Sequence, residues 1–161
     1  MTEVQTVPQS SISADVVSGV AQFLAPVVVD LTALAVDGKQ AHWHVRGANF
    51  QAVHELLDTI VDHAHEYADT AAERVVALGL PLDARIQTVG AKTTTPALEA
   101  GFQQSDATIA QIIASIDATL VTVRTAVDEL AELDVVSQDV VIEIARGLEK
   151  DRWFLFAHLA G

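Results

Sequence analysis

Apolar residues recur at intervals of three and four along most of the chain, and no long segment alternates apolar with polar positions. The pattern predicts an all-α protein. Ser13 is placed to cap a first helix running towards Arg46, with Asp15 favourable near its positive end. Pro26 lies inside this segment and is expected to kink it or to mark a later start. Gly47 reads as a stop, Asn49 as the cap of a second helix over residues 50–78, and Gly79-Leu80-Pro81 as its end. That second helix would be on the order of 43 Å long.

Residues 82–104 are rich in Thr, Gly and Pro and too numerous for a tight helical hairpin. They predict a long crossover carrying a short helix around residues 97–102. Ser105 or Asp106 is expected to cap a third helix to about Leu133, and Ser137 a fourth to about Leu159. The reading is a four-helix bundle over residues 13–161 behind a polar tail of residues 1–12.

Composition narrows the function. Cysteine is absent, which excludes disulfides and thiolate metal sites. The start lacks the basic-then-apolar order of a secretory signal, and no uninterrupted apolar run approaches the ~18–20 residues that span a bilayer. These features suit a cytoplasmic protein with no membrane role. The net charge is −13, and no Lys or Arg stands before Lys39 or after Arg152. Passive attraction to DNA is therefore not expected.

Five of the six histidines fall between His42 and His65. On the second helix His54 and Asp58 are four residues apart, as are Asp69 and Glu73, so each pair occupies one face. Asp58 and Asp69 are eleven apart, about three turns, and point within roughly 20° of each other. One stripe thus carries two ligand pairs separated by roughly 16 Å along the axis. Ligand bonds of about 2.0–2.2 Å do not reach across that gap. If all four residues hold metal together, the lower pair must meet the upper pair of a second copy. The midpoint between residues 54 and 73 is also that between 58 and 69, so one dyad between His63 and Ala64 would create two equivalent sites. His42, near the end of the first helix, offers a further nitrogen.

The stretch Lys39-Gln-Ala-His42-Trp43-His-Val-Arg-Gly47-Ala-Asn49-Phe50, followed by His54, Asp58, Asp69 and Ala72-Glu73-Arg74, closely resembles the Dps mini-ferritins, members of the ferritin-like superfamily. The resemblance implies a ferroxidase centre of two iron ions, with His42, His54 and Asp58 from one subunit and Asp69 and Glu73 from its neighbour. It also implies a hollow homododecamer that oxidises Fe(II) with hydrogen peroxide, or less efficiently dioxygen, and stores ferric mineral. The Glu-x-x-His ligands of ordinary ferritins are missing. Lys39 and Trp43 are candidate supports beside the metals.

Acidic residues at the start of the last helix line a three-fold pore in relatives. Asp139 matches that position best, with Asp134 and Glu143 as further candidates within a cluster that also holds Glu129 and Glu132. Two other functions compete. Nucleoid binding, which the family name suggests, is disfavoured because the relatives' basic tails have no counterpart here. A metal-dependent hydrolase lacks any recognisable organic-substrate motif: His54-Glu55 matches only the first half of a zinc-protease motif, whose second histidine is missing. His65 lies close to the proposed dyad, where its symmetry mate is expected to hold an auxiliary metal with it or to make the contact acid-sensitive. His63 has no assigned role at this level.

Overall fold

The computed structural model describes residues 11–160, so most of the expected polar tail lies outside the described residues. Five helices follow in order: α1 (Ala14–His44), α2 (Phe50–Ala77), the short α3 (Ile86–Lys92), α4 (Ser105–Leu130) and α5 (Val135–Ala157). The four long ones form the expected bundle. Its centre is filled by Leu24, Leu31 and Leu34 of α1, Leu57 and Ile60 of α2, Ile109, Ile112 and Ile116 of α4, and Ile144, Leu148 and Leu155 of α5, all buried. α1 and α4 are long and apolar enough to cross a membrane by length and composition, but 56% and 44% of those windows are buried within the bundle.

Ser13 caps α1 as expected, its hydroxyl accepting from the Val16 amide. α1 then continues through Pro26 as one helix. Pro26 and Gln22 are both exposed, so the carbonyl released by the missing N–H faces water rather than core. α1 stops at His44, two residues short of the expected Arg46, because Val45–Arg46 (β1) is drawn into a two-residue parallel pairing with Gln103–Gln104 (β2). The turn uses left-handed backbone at Gly47 (φ 99°) and Asn49 (φ 56°). A side chain at Gly47 would also collide with the Gln104 amide. Asn49 occupies the cap position of α2, although its side chain makes no capping bond.

Three expectations from the second half need correction. The short helix is at Ile86–Lys92 and not around residues 97–102. Asp83 organises its start, accepting from the Arg85 amide and guanidinium and from the Thr88 hydroxyl, and the Arg85 and Thr88 bonds bring its pKa to well below the carboxylate range. Residues 97–102 run irregularly into β2, past Gly101 in a left-handed conformation (φ 87°). Because β2 holds Gln104 extended, Gln104 is the cap position of α4 and Ser105 is already helical. Finally, Asp134 and not Ser137 caps α5, with the Ser137 amide donating to the Asp134 carboxylate at 3.0 Å.

The crossover is tied down by a buried acid. Asp30 of α1 is 1% exposed and accepts from the hydroxyls of Thr93 (2.9 Å), Thr94 (2.7 Å) and Thr122 (2.7 Å) and from the Thr94 amide (2.7 Å). The carboxylate thereby joins α1, the segment after α3, and α4.

α2 meets α5 through a tyrosine set against a glycine. A Cβ at Gly147 would stand 1.9 Å from the Tyr67 hydroxyl oxygen and 2.6 Å from its ring carbon. Gly147→Ala is therefore expected to destabilise the subunit by about 1–3 kcal/mol, although alanine is the better helix former. Denaturant unfolding checks this. Adding Tyr67→Ala must make the pair non-additive, and simple additivity would rule out the clash.

Candidate metal centre

The last turn of α1 and the second turn of α2 place two imidazoles face to face. The His42 and His54 ring centroids are 3.6 Å apart with planes inclined by 19°. Each ring is held by the other residue's main chain: His42 Nδ1 lies 2.7 Å from the His54 carbonyl, and His54 Nδ1 lies 2.8 Å from the His42 carbonyl. A carbonyl only accepts, so both Nδ1 atoms carry the hydrogen. In the neutral rings this leaves both Nε2 atoms with lone pairs, as metal-ligating imidazoles require. His42 is buried, and Phe50 stacks on the outer side of His54 with centroids 5.1 Å apart.

Asp58 follows one turn after His54. Its Oδ1 is 2.5 Å from Lys39 Nζ and 3.4 Å from His42 Nδ1. The Lys39 hydrogen bond, reinforced by the positive charge around it, holds the Asp58 carboxyl below its ordinary range despite some desolvation. The carboxylate is thus ionised and turned towards an ammonium. Trp43 is exposed within the subunit, beside His42 in sequence.

Asp69 and Glu73 are exposed on α2, and among the described residues neither makes a hydrogen bond or ion pair. No group of three His, Asp or Glu side chains among the described residues stands close enough to hold a metal ion. His42, His54 and Asp58 are neighbours in the subunit, with Asp58 engaged by Lys39, but are not arranged as a metal-holding group. Asp69 and Glu73 stand on α2 about three turns and more beyond Asp58.

The remaining candidates separate by environment. Asp134 accepts from Arg74 Nη2 at 2.8 Å and from the Ser137 hydroxyl at 2.5 Å, besides capping α5. Burial opposes its ionisation, but the bonds from Ser137 and Arg74 prevail and keep its carboxyl below the usual range. Its charge is thus balanced locally by Arg74. Asp139 and Glu143 are exposed, one turn apart on α5, with no such partner among the described residues.

His63 and His65 diverge. His65 is exposed, whereas His63 turns towards α5, its Nδ1 3.0 Å from both oxygens of buried Asp151. Desolvation raises the Asp151 pKa against the opposing pull of His63. The sequence reading missed Asp30 and Asp151. Asp30 is a lone acid within an apolar helical pattern and Asp151 one member of the charged run Glu149-Lys150-Asp151-Arg152, and their donors lie 63 to 92 and 88 residues away.

A long-helix bundle with a crossover, bearing paired imidazoles and a carboxylate stripe, defines a ferritin-like subunit. The Ferritin-like domain family matches residues 23–161. A DNA protection during starvation protein of Agrobacterium fabrum is 35% identical over 127 residues, covering 78% of either chain. The namesake from Mycolicibacterium smegmatis is 32% identical, over 88% of this chain and 78% of that one. The solved structure of Dps from Microbacterium arborescens in a high iron form superposes with a TM-score of 0.91 at 57% identity, covering 95% of this chain and 99% of that one. The chain belongs to the ferritin-like family, in its Dps branch.

Proposed function

We propose that this chain is an iron-oxidising mini-ferritin whose two-iron sites are completed between subunits. The observation that carries the reading is the pair of imidazoles locked with both Nε2 atoms free, beside a helix whose second carboxylate pair is too distant to join them. Ferrous iron is the substrate, and imidazole with carboxylate is a donor set that accepts it. His42, His54 and Asp58 of one subunit, with Asp69 and Glu73 of a neighbour, would hold two ions; Lys39 competes for Asp58 until iron arrives.

The redox balance is simple. Two ferrous ions each lose one electron; the O–O bond of hydrogen peroxide breaks, takes both electrons and two protons, and yields two waters. Dioxygen is the slower alternative oxidant. Carboxylates favour the ferric product, which collects as mineral inside a hollow homododecamer, and iron enters past Asp139 and Glu143, whose charge concentrates cations at a pore. Protection of DNA, which the relatives' names record, would then follow from removing iron and peroxide together. With a net charge of −13 per chain, no stable DNA contact is needed or expected.

Ferrous oxidation with limiting peroxide tests the proposal. Asp58→Ala and Glu73→Ala should each lower the rate by about a hundredfold, although the residues are roughly 22 Å apart along one helix. Full activity in either variant would refute the shared site.

A further inference from the structure

The middle of α2 carries two exposed side chains that the proposed metal site does not use, Asp62 and His65. Among the described residues, neither forms a hydrogen bond or ion pair within its subunit. Relative to Asp58, Asp62 is rotated by about 40° and Asp69 by about 20° in the same sense, and His65 by about 20° in the other. All four share one face. His63 is rotated by about 140°, consistent with its bond to Asp151 on the bundle side.

Antiparallel α2 helices that bring His54 and Asp58 against a neighbour's Glu73 and Asp69 have their axis midway between His63 and Ala64. The same midpoint halves the interval from Asp62 to His65. Asp62 therefore stands level with the partner subunit's His65, and His65 level with the partner subunit's Asp62. Both lie only about 2 Å along the helix from the axis, so the crossing angle of the helices scarcely alters the pairing. The two His65 residues are offset from each other by about 4.5 Å along the helices, which leaves a carboxylate, and not a second imidazole, directly opposite each ring.

We propose that Asp62 and His65 form two reciprocal contacts across the subunit dyad, and that these tighten when the imidazole is protonated. The proposal rests on the shared-site reading. The charged groups flanking His65 on α2 are Asp58, Asp62, Glu66 and Asp69, and the facing α2 presents the same set. Lys39 of α1 is engaged at Asp58, and Lys150 of α5 lies over Phe154. Next to the axis the face is therefore acidic apart from His65, and protonation there supplies a cation at that level. Association should strengthen on mild acidification, which favours the imidazolium, and weaken in stronger acid as carboxylates are neutralised. Mutual repulsion of two His65 rings predicts the opposite trend.

Two measurements on the full chain test this, with chelator present to exclude bridging metal. The chain lacks cysteine, so when D62C subunits are co-assembled with H65C subunits any disulfide joins introduced thiols of different subunits. Mild oxidation should convert the mixed pairs almost wholly to covalent dimer on a non-reducing gel. Separately, the dissociation constant of the wild-type subunit contact should fall about three- to tenfold from pH 8 to 5.5. Asp62→Asn and His65→Gln should each flatten that profile, and the double variant should do no more. Absence of the covalent dimer, or an unchanged profile in His65→Gln, would overturn the contact. If Asp58 and Glu73 variants still lose ferrous oxidation equally, only this contact fails; if either keeps full activity, the shared site fails with it.

Discussion

Mixing His54→Ala subunits with Glu73→Ala subunits should restore roughly a quarter of wild-type ferrous oxidation, although neither preparation oxidises iron appreciably alone. In a two-fold pair containing one subunit of each kind, one site combines both defects and the other combines both intact halves. Random exchange places both kinds together in half of all pairs, and each such pair holds one competent site of two. The effect is large because the background is low: each single variant breaks every site in its own assembly. Native mass spectrometry establishes that mixed pairs have formed, and limiting-peroxide oxidation measures the return. No recovery in verified mixed pairs would mean that these residues are not shared between subunits in one site.

The second large effect concerns stability. Asp30→Ala should destabilise the subunit by about 2–3 kcal/mol, read as a lowered denaturation midpoint with little change in slope. The buried carboxylate receives three hydroxyl bonds and one amide bond from threonines that are themselves partly exposed. Truncation would leave all four donors without their acceptor and a cavity beside α1. Asp30→Asn fills the volume but turns one acceptor into a donor, so it should recover only part of the loss. Amide exchange should rise first in the crossover around Thr93 and Thr94. A variant as stable as wild type would mean that Asp30 does not fix this connection.

The sequence was most informative where the decisive interactions are local. The period of apolar residues located all four long helices, Ser13 announced a cap that the structure contains, and His54, Asp58, Asp69 and Glu73 sit on the helix that their spacing implied. Errors arose where distant segments decide. Gln104 is held extended by β1, which turned the expected cap Ser105 into a helical residue. The crossover helix is an exception, since its start is set locally, where Asp83 gathers Arg85 and Thr88, and not in the residues after Pro96. Asp30 looked like one polar interruption in an apolar helix, because its partners are threonines far along the chain. His42 and His54 were legible as ligand candidates. Their stacking and carbonyl bonds were not, since these depend on how tightly α1 turns into α2.

That interlock also bears on how fast the protein handles cargo. The His42 carbonyl belongs to the last turn of α1, where helix geometry supplies no backbone donor, and the His54 ring fills that vacancy. The His54 ring thus serves as a helix-ending group for α1, and the His42 ring is fixed in turn by the His54 carbonyl within α2. An arriving ion has no imidazole to immobilise, which saves an ordering penalty of about 0.5–1.5 kcal/mol per side chain. A departing ion leaves the rings where they were. Under the proposed function, such a low reorganisation demand would favour repeated exchange over permanent retention.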